Sequence, residues 1–105
     1  MNDNLIVGVG FFEGRSYIVG RNGHIHINDP SASRLHAELK IIGGRIFLRD
    51  LGSANGTYLV NENNLEYFKE GYVELLQPIV MGRLKYTVRG LLAISSPFDF
   101  TLHSI

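Results

Sequence analysis

The strongest constraint on this chain is its punctuation: glycine and asparagine interrupt the apolar residues every few positions, so helical periodicity is hard to find. Between the interruptions stand short β-rich runs. They reach from Leu5 to Val9, Ser16 to Val19, His24 to Ile27, Ala37 to Ile42, Ile46 to Arg49 and Thr57 to Val60, then from Tyr72 to Leu76, Ile79 to Met81 and Leu84 to Arg89. The run Ala37-Glu38-Leu39-Lys40-Ile41 alternates apolar and charged residues, which puts Ala37, Leu39 and Ile41 on one face of a strand and would scatter the charges of a helix. Gly43-Gly44 between two such runs is a two-residue hairpin signal, and Asp29-Pro30-Ser31 and Gly52-Ser53 mark loops. Many closely spaced short strands predict an all-β fold, a sandwich or a barrel.

With 105 residues, 45% of them hydrophobic and 19% charged, the chain suits one domain, expected over residues 1–94. Residues 95–105 follow the last strand-like run and read as a partly ordered C-terminal tail, whose Phe98 and Phe100 could instead cover a sheet edge or meet a partner. Ten Lys+Arg balance ten Asp+Glu, so the broad basic footprint of a nucleic-acid or anionic-membrane binder is missing, and any bound anion must be met locally. No cysteine is present, which excludes a disulfide framework, a thiolate nucleophile and Cys-ligated zinc or iron–sulfur. No apolar run approaches the ~20 residues of a membrane span, and Met1-Asn2-Asp3-Asn4 lacks the basic start of a secretory signal; a cytoplasmic protein with no membrane insertion is expected. On the same ground Asn55-Gly56-Thr57 is discounted as a glycosylation triplet.

Three features fall on the expected loops: Gly20-Arg21, Ser33-Arg34-Leu35-His36 and Gly52-Ser53-Ala54-Asn55-Gly56-Thr57. Taken singly each is bland. Arg21 and Arg34 read as solvated surface arginines, Asn55-Gly56 as a turn, and Ser33 as a loop hydroxyl satisfying its own backbone. Their joint identity and spacing, from Tyr17-Ile18-Val19-Gly20-Arg21 through Asp29 to Ala37 and on to Asp50 through Asn61, resemble the forkhead-associated (FHA) domain family over nearly the whole chain.

That resemblance implies a two-sheet β-sandwich whose loops at one end form a binding site for phosphothreonine peptides, with no catalytic residue, metal or cofactor. A phosphothreonine carries about −1.5 to −2 charges and three strong acceptor oxygens, so its site needs charged forks, hydroxyls or amides at close range. Arginine outnumbers lysine seven to three here, and its planar guanidinium can hold two phosphate oxygens at once. By resemblance Ser33 and Arg34 bond the phosphate, Arg21 contacts the phosphate or the adjacent peptide backbone, and Asn55 holds the peptide main chain with an amide that both donates and accepts. Gly20, His36 and Gly56 are expected to support the loops. Ser31, Asn61, Glu62, Asn63 and Asn64 are expected to tune sequence preference. The implied partner is a protein marked by a Ser/Thr kinase.

The sequence departs from the family pattern at Ala54, where many relatives carry Thr or Ser. Asn61-Glu62-Asn63-Asn64 replaces a frequent Asn-Gly turn, and the run from Leu75 to Gly82 lacks the usual Gly-Asp. Two other readings compete. A metal-dependent enzyme would use His24 and His26 on one strand face with Asp29 or His36. A phospho-independent assembly domain would bind through a sheet face or the apolar tail.

Overall fold

Alternation settles which side of each strand is buried. The computed structural model describes residues 13–94; the expected strand from Leu5 to Val9 and the 95–105 tail with Phe98 and Phe100 lie outside them. Strand β3 (Ala37–Ile42) buries Ala37, Leu39 and Ile41, and its antiparallel partner β4 (Arg45–Asp50) buries Ile46, Leu48 and Asp50. The hairpin between them is closed by Gly43 and Gly44 at φ of 60° and 75°, a conformation that matches the twist of the flanking strands and that side-chain-bearing residues resist. The Glu13 carboxylate accepts the backbone N–H groups of both glycines.

A five-stranded sheet runs in the order β2 (Ile25–His26), β1 (Ser16–Gly20), β3, β4, β7 (Glu70–Val73). A four-stranded sheet runs β6 (Asn64–Tyr67), β5 (Thr57–Asn61), β8 (Pro78–Met81), β9 (Leu84–Thr87). Leu39 and Leu48 of the first sheet join Ile79 and Met81 of the second in one apolar core, which makes the pair of sheets a β-sandwich.

Three boundaries differ from those expected. The last run stops as a strand at Thr87 and continues as a short helix, α1, over residues 88–94. The Thr87 hydroxyl accepts the Gly90 N–H at 3.0 Å, an N-cap, and Val88, Leu91 and Leu92 then fall on one buried helical face. The run expected from Tyr72 to Leu76 is shifted to β7, because the chain turns after it with Gln77 N–H bonded to Glu74 C=O. Strand β6 was not expected at all: every one of its residues is exposed, so no inner face marks it.

Candidate functional site

Strands β1, β4 and β8 end, and β3, β5 and β9 begin, at the same end of the sandwich. The loops after β1, β2 and β4 are therefore neighbours there, joined by the Gly82-Arg83 turn between β8 and β9. Their mutual hydrogen bonds make one structure of them.

His36 sits at the centre, with 0% of its surface exposed. Its Nδ1 accepts the Ser33 N–H at 3.0 Å, so the ring proton is on Nε2, which donates to Gly56 C=O at 3.0 Å. One imidazole thus ties the loop that carries Ser33 and Arg34 to the loop that carries Asn55. Its backbone adds two more ties, N–H to Val19 C=O and C=O from Leu51 N–H.

Gly20 allows the β1 end to press against the second loop. A Cβ there would lie 2.3 Å from Arg34 O and 2.7 Å from Ser33 O, and φ is 154°. That contact lets Arg21 N–H reach Ser33 C=O and Asn22 N–H reach Arg34 C=O. The half-buried Arg21 side chain donates through Nε to Ala32 C=O at 2.7 Å, which fixes the guanidinium plane without using its two terminal nitrogens.

The loop after β4 is wound around Asp50, buried beneath it. Its Oδ2 accepts Gly52 N–H and Ser53 N–H, both at 3.0 Å, and Oδ1 accepts the Ser53 and Thr57 hydroxyls, both at 2.7 Å. Burial pushes this carboxyl up, but the hydrogen bonds from Ser53 and Thr57 outweigh it and hold the group below the usual carboxylate range. The loop so shaped presents Ala54 N–H to Ser33 Oγ at 2.9 Å. Since Ser33 accepts there, its own hydroxyl proton is left to donate outward. Asn55 Nδ2 donates to Ser31 C=O at 2.8 Å, which leaves its side-chain oxygen for another donor.

Arg21, Ser33, Arg34 and Asn55, expected as binding residues, are therefore brought to one surface, with Gly20, His36 and Gly56 beneath or beside them. Arg34 is exposed, and among the described residues its side chain makes no hydrogen bond or ion pair. The unused arginine, the free hydroxyl proton and the free amide oxygen can together receive an anion flanked by peptide groups.

The residues expected to tune sequence preference divide between the two ends of the sandwich. The Ser31 hydroxyl donates to Asp29 Oδ1 at 2.6 Å and accepts Arg83 N–H at 3.0 Å, so it braces the loop, while the Ser31 C=O positions Asn55. Asn61, Glu62, Asn63 and Asn64 form the β5–β6 hairpin turn, with Asn61 Oδ1 3.4 Å from Gln77 Nε2 at the start of β8. Four residues of β5 rise separate Asn61 from Thr57, about 13 Å at ~3.3 Å per residue, so this turn lies at the end of the sheet away from Asn55.

Sequence reasoning missed Asp50 as the organiser of its loop and Arg83 as a basic neighbour. A signal for the first existed, since an aspartate commonly bonds the backbone N–H groups two and three residues on, here those of Gly52 and Ser53. Arg83 had none, because its turn is brought near only by the sandwich. The histidines of the metal reading are dispersed: His24 Nδ1 accepts the Ile18 N–H at 2.9 Å, outside β2, and His36 is consumed as described. Among the described residues no three His, Asp or Glu side chains gather to hold a metal ion.

The family model of the FHA domain matches residues 14–76. The chain belongs to the FHA-domain family. Solved structures agree. It resembles an FHA domain solved in work on phosphothreonine-dependent FHA interactions, at 29% identity and TM-score 0.63 over 73% of this chain and 77% of that one. The FhaA FHA domain, solved with the intracellular domain of Rv3910, matches at 29% identity and TM-score 0.62 over 73% and 81%. The FHA domain of the CT664 protein from Chlamydia trachomatis matches at 26% identity and TM-score 0.61 over 73% and 77%. No curated protein matches this sequence. Among the described residues no helix is long and apolar enough to cross a membrane.

Proposed function

We propose that the loop end of this sandwich is a non-catalytic reader of phosphothreonine peptides, which recruits or assembles a partner after a Ser/Thr kinase has marked it in the cytoplasm. The carrying observation is Ser33. Its oxygen accepts Ala54 N–H, which leaves its proton free to donate, beside an Arg34 that makes no bond or ion pair among the described residues and in the loop tied down by the buried His36. Arg34 supplies a two-pronged charge for the phosphate, Ser33 a hydroxyl donor, and Arg21 a second fork held flat by Ala32. Asn55 meets the peptide main chain with its free oxygen and sets the register. An FHA domain 29% identical to this chain was solved in work on phosphothreonine-dependent interactions, and that likeness supports threonine over serine as the marked residue.

Calorimetric titration with a degenerate phosphothreonine library and its unphosphorylated twin tests the proposal. The phosphorylated library alone should bind, and Arg34→Ala should lose about 1.5–3 kcal/mol, tenfold or more in affinity. Equal binding of the two libraries would refute it.

A second reading, phospho-independent docking, is favoured by the outer face of the smaller sheet. There Leu65 and Tyr67, 59% and 60% exposed, stand across from Val60 and Tyr58. Binding of the unphosphorylated twin would select that reading.

A further inference from the structure

We infer that Arg83 is a specificity residue of this same site, reading an anionic side chain, a carboxylate or a second phosphate, on the peptide beside the phosphothreonine; the inference rests on the reading above. The β8–β9 turn is locked to the loop that holds Asn55. Arg83 N–H donates to Ser31 Oγ at 3.0 Å, and Ser31 C=O accepts Asn55 Nδ2 at 2.8 Å. Gly82 packs so closely that a Cβ on it would lie 2.4 Å from Ser31 Oγ, at a φ of +63°. Two hydrogen bonds through one residue therefore connect Arg83 with the side chain proposed to hold the peptide main chain.

The guanidinium itself is hardly used. Its side chain is 72% exposed, and its nearest acid is Asp29, with Nε 3.7 Å from Oδ1. That is beyond hydrogen-bond length. The same oxygen already accepts Ser31 N–H at 2.8 Å and Ser31 Oγ–H at 2.6 Å, and those bonds, led by the hydroxyl's, hold the Asp29 carboxyl below its usual range. Asp50, the other acid under these loops, is buried and fully occupied by four donors. In a chain with no net charge, this end presents Arg21, Arg34 and Arg83, and of these three only Arg83 has an acid within ion-pair range among the described residues, the contact with Asp29 at 3.7 Å. An anion offered by the peptide flank would meet a planar fork on a fixed backbone, where a second fork-to-carboxylate pair can form. The backbone anchor belongs to N–H and not to the side chain, so Arg83 can be replaced without releasing the turn.

The test is calorimetry with a phosphothreonine peptide whose flanking positions carry Ala, Asp, Lys or phosphoserine in turn, against the wild-type chain, Arg83→Ala and Arg83→Glu. The wild type should prefer an anionic residue at one flank position by about fivefold, less at high salt. Phosphoserine exceeding Asp at that position would mark a second phosphate as the anion. Arg83→Ala should erase the preference, costing the anion-flanked peptide about fivefold more in affinity than the Ala-flanked one, and Arg83→Glu should turn it toward a Lys-flanked peptide. Binding of the Ala-flanked phosphopeptide with no anionic preference, or a preference that survives Arg83→Ala, would overturn this inference alone. Failure of every phosphorylated peptide to bind would overturn it together with the reading beneath it.

Discussion

Replacing Asp50 by Asn removes a charge and one acceptor oxygen from beneath the Asn55 loop, with almost no change in volume. Asp50 now accepts four hydrogen bonds, two from the backbone of Gly52 and Ser53 and two from the hydroxyls of Ser53 and Thr57. Asparagine can turn its oxygen toward one pair only. If it serves the backbone pair, its NH2 faces two hydroxyls that must rotate to accept, and Ser53 Oγ already accepts Gly56 N–H at 2.9 Å. Bonds to a charged acceptor contribute roughly 1.5–3 kcal/mol each against 0.5–1.5 for neutral ones, while burial of the charge offsets part of that difference. A net loss of about 2–4 kcal/mol follows, or ~10–20 °C in Tm for a domain of this size. The carboxyl is held below its ordinary value in the folded chain, so its contribution is complete above the unfolded value of ~3.9 and disappears as pH falls through the folded one. Urea denaturation of the wild type and Asp50→Asn at pH 7 and again near pH 3 should show a gap that narrows in acid. A gap below about 0.5 kcal/mol at pH 7, or one equal at both pH values, would refute the reasoning.

Other substitutions separate the site from its support. Gly20→Ala puts a methyl 2.3 Å from Arg34 O, so phosphopeptide affinity and thermal stability should fall together in titration and melting experiments; unchanged values would show that the two loops can part freely. Ala54→Thr restores a hydroxyl next to Ser33 and should tighten phosphopeptide binding by up to about tenfold in calorimetry, the worth of one neutral hydrogen bond. Glu62, at a φ of 59° in the β5–β6 turn, occupies a conformation that asparagine tolerates better, so Glu62→Asn should raise stability by about 0.5–1 kcal/mol in denaturation and leave peptide affinity alone.

The sandwich was legible because its strands alternate: Ala37, Leu39 and Ile41 announce a buried face that the structure realises. Alternation failed where burial is absent, as in β6, and where a cap takes over, as at Thr87, whose hydroxyl begins a helix the apolar run alone could not distinguish from a strand. Arg21, Ser33, Arg34 and Asn55 could be grouped by the resemblance to the FHA family that their identity and spacing carry, although nothing local in the sequence brings them together. What joins them is His36, reaching Ser33 on one side and Gly56 on the other across 20 residues of chain. The family resemblance implies that the hairpin from Asn61 to Asn64 tunes sequence preference; a strand that runs away from the Asn55 loop carries that turn to the other end of the sheet. Arg83 is the converse case, 52 residues from Ser31 in sequence and bonded to its hydroxyl in the fold.

The central claim is that three loops form one phosphate-reading surface, and amide-resolved NMR titration tests it most directly. Adding a phosphothreonine peptide should shift the amides of Arg21, Ser33, Arg34, Ala54 and Asn55 together with a single affinity, and should leave Leu65, Tyr67 and the Asn61–Asn64 turn in place. Shifts centred on Leu65 and Tyr67, or the same shifts from the unphosphorylated peptide, would contradict it.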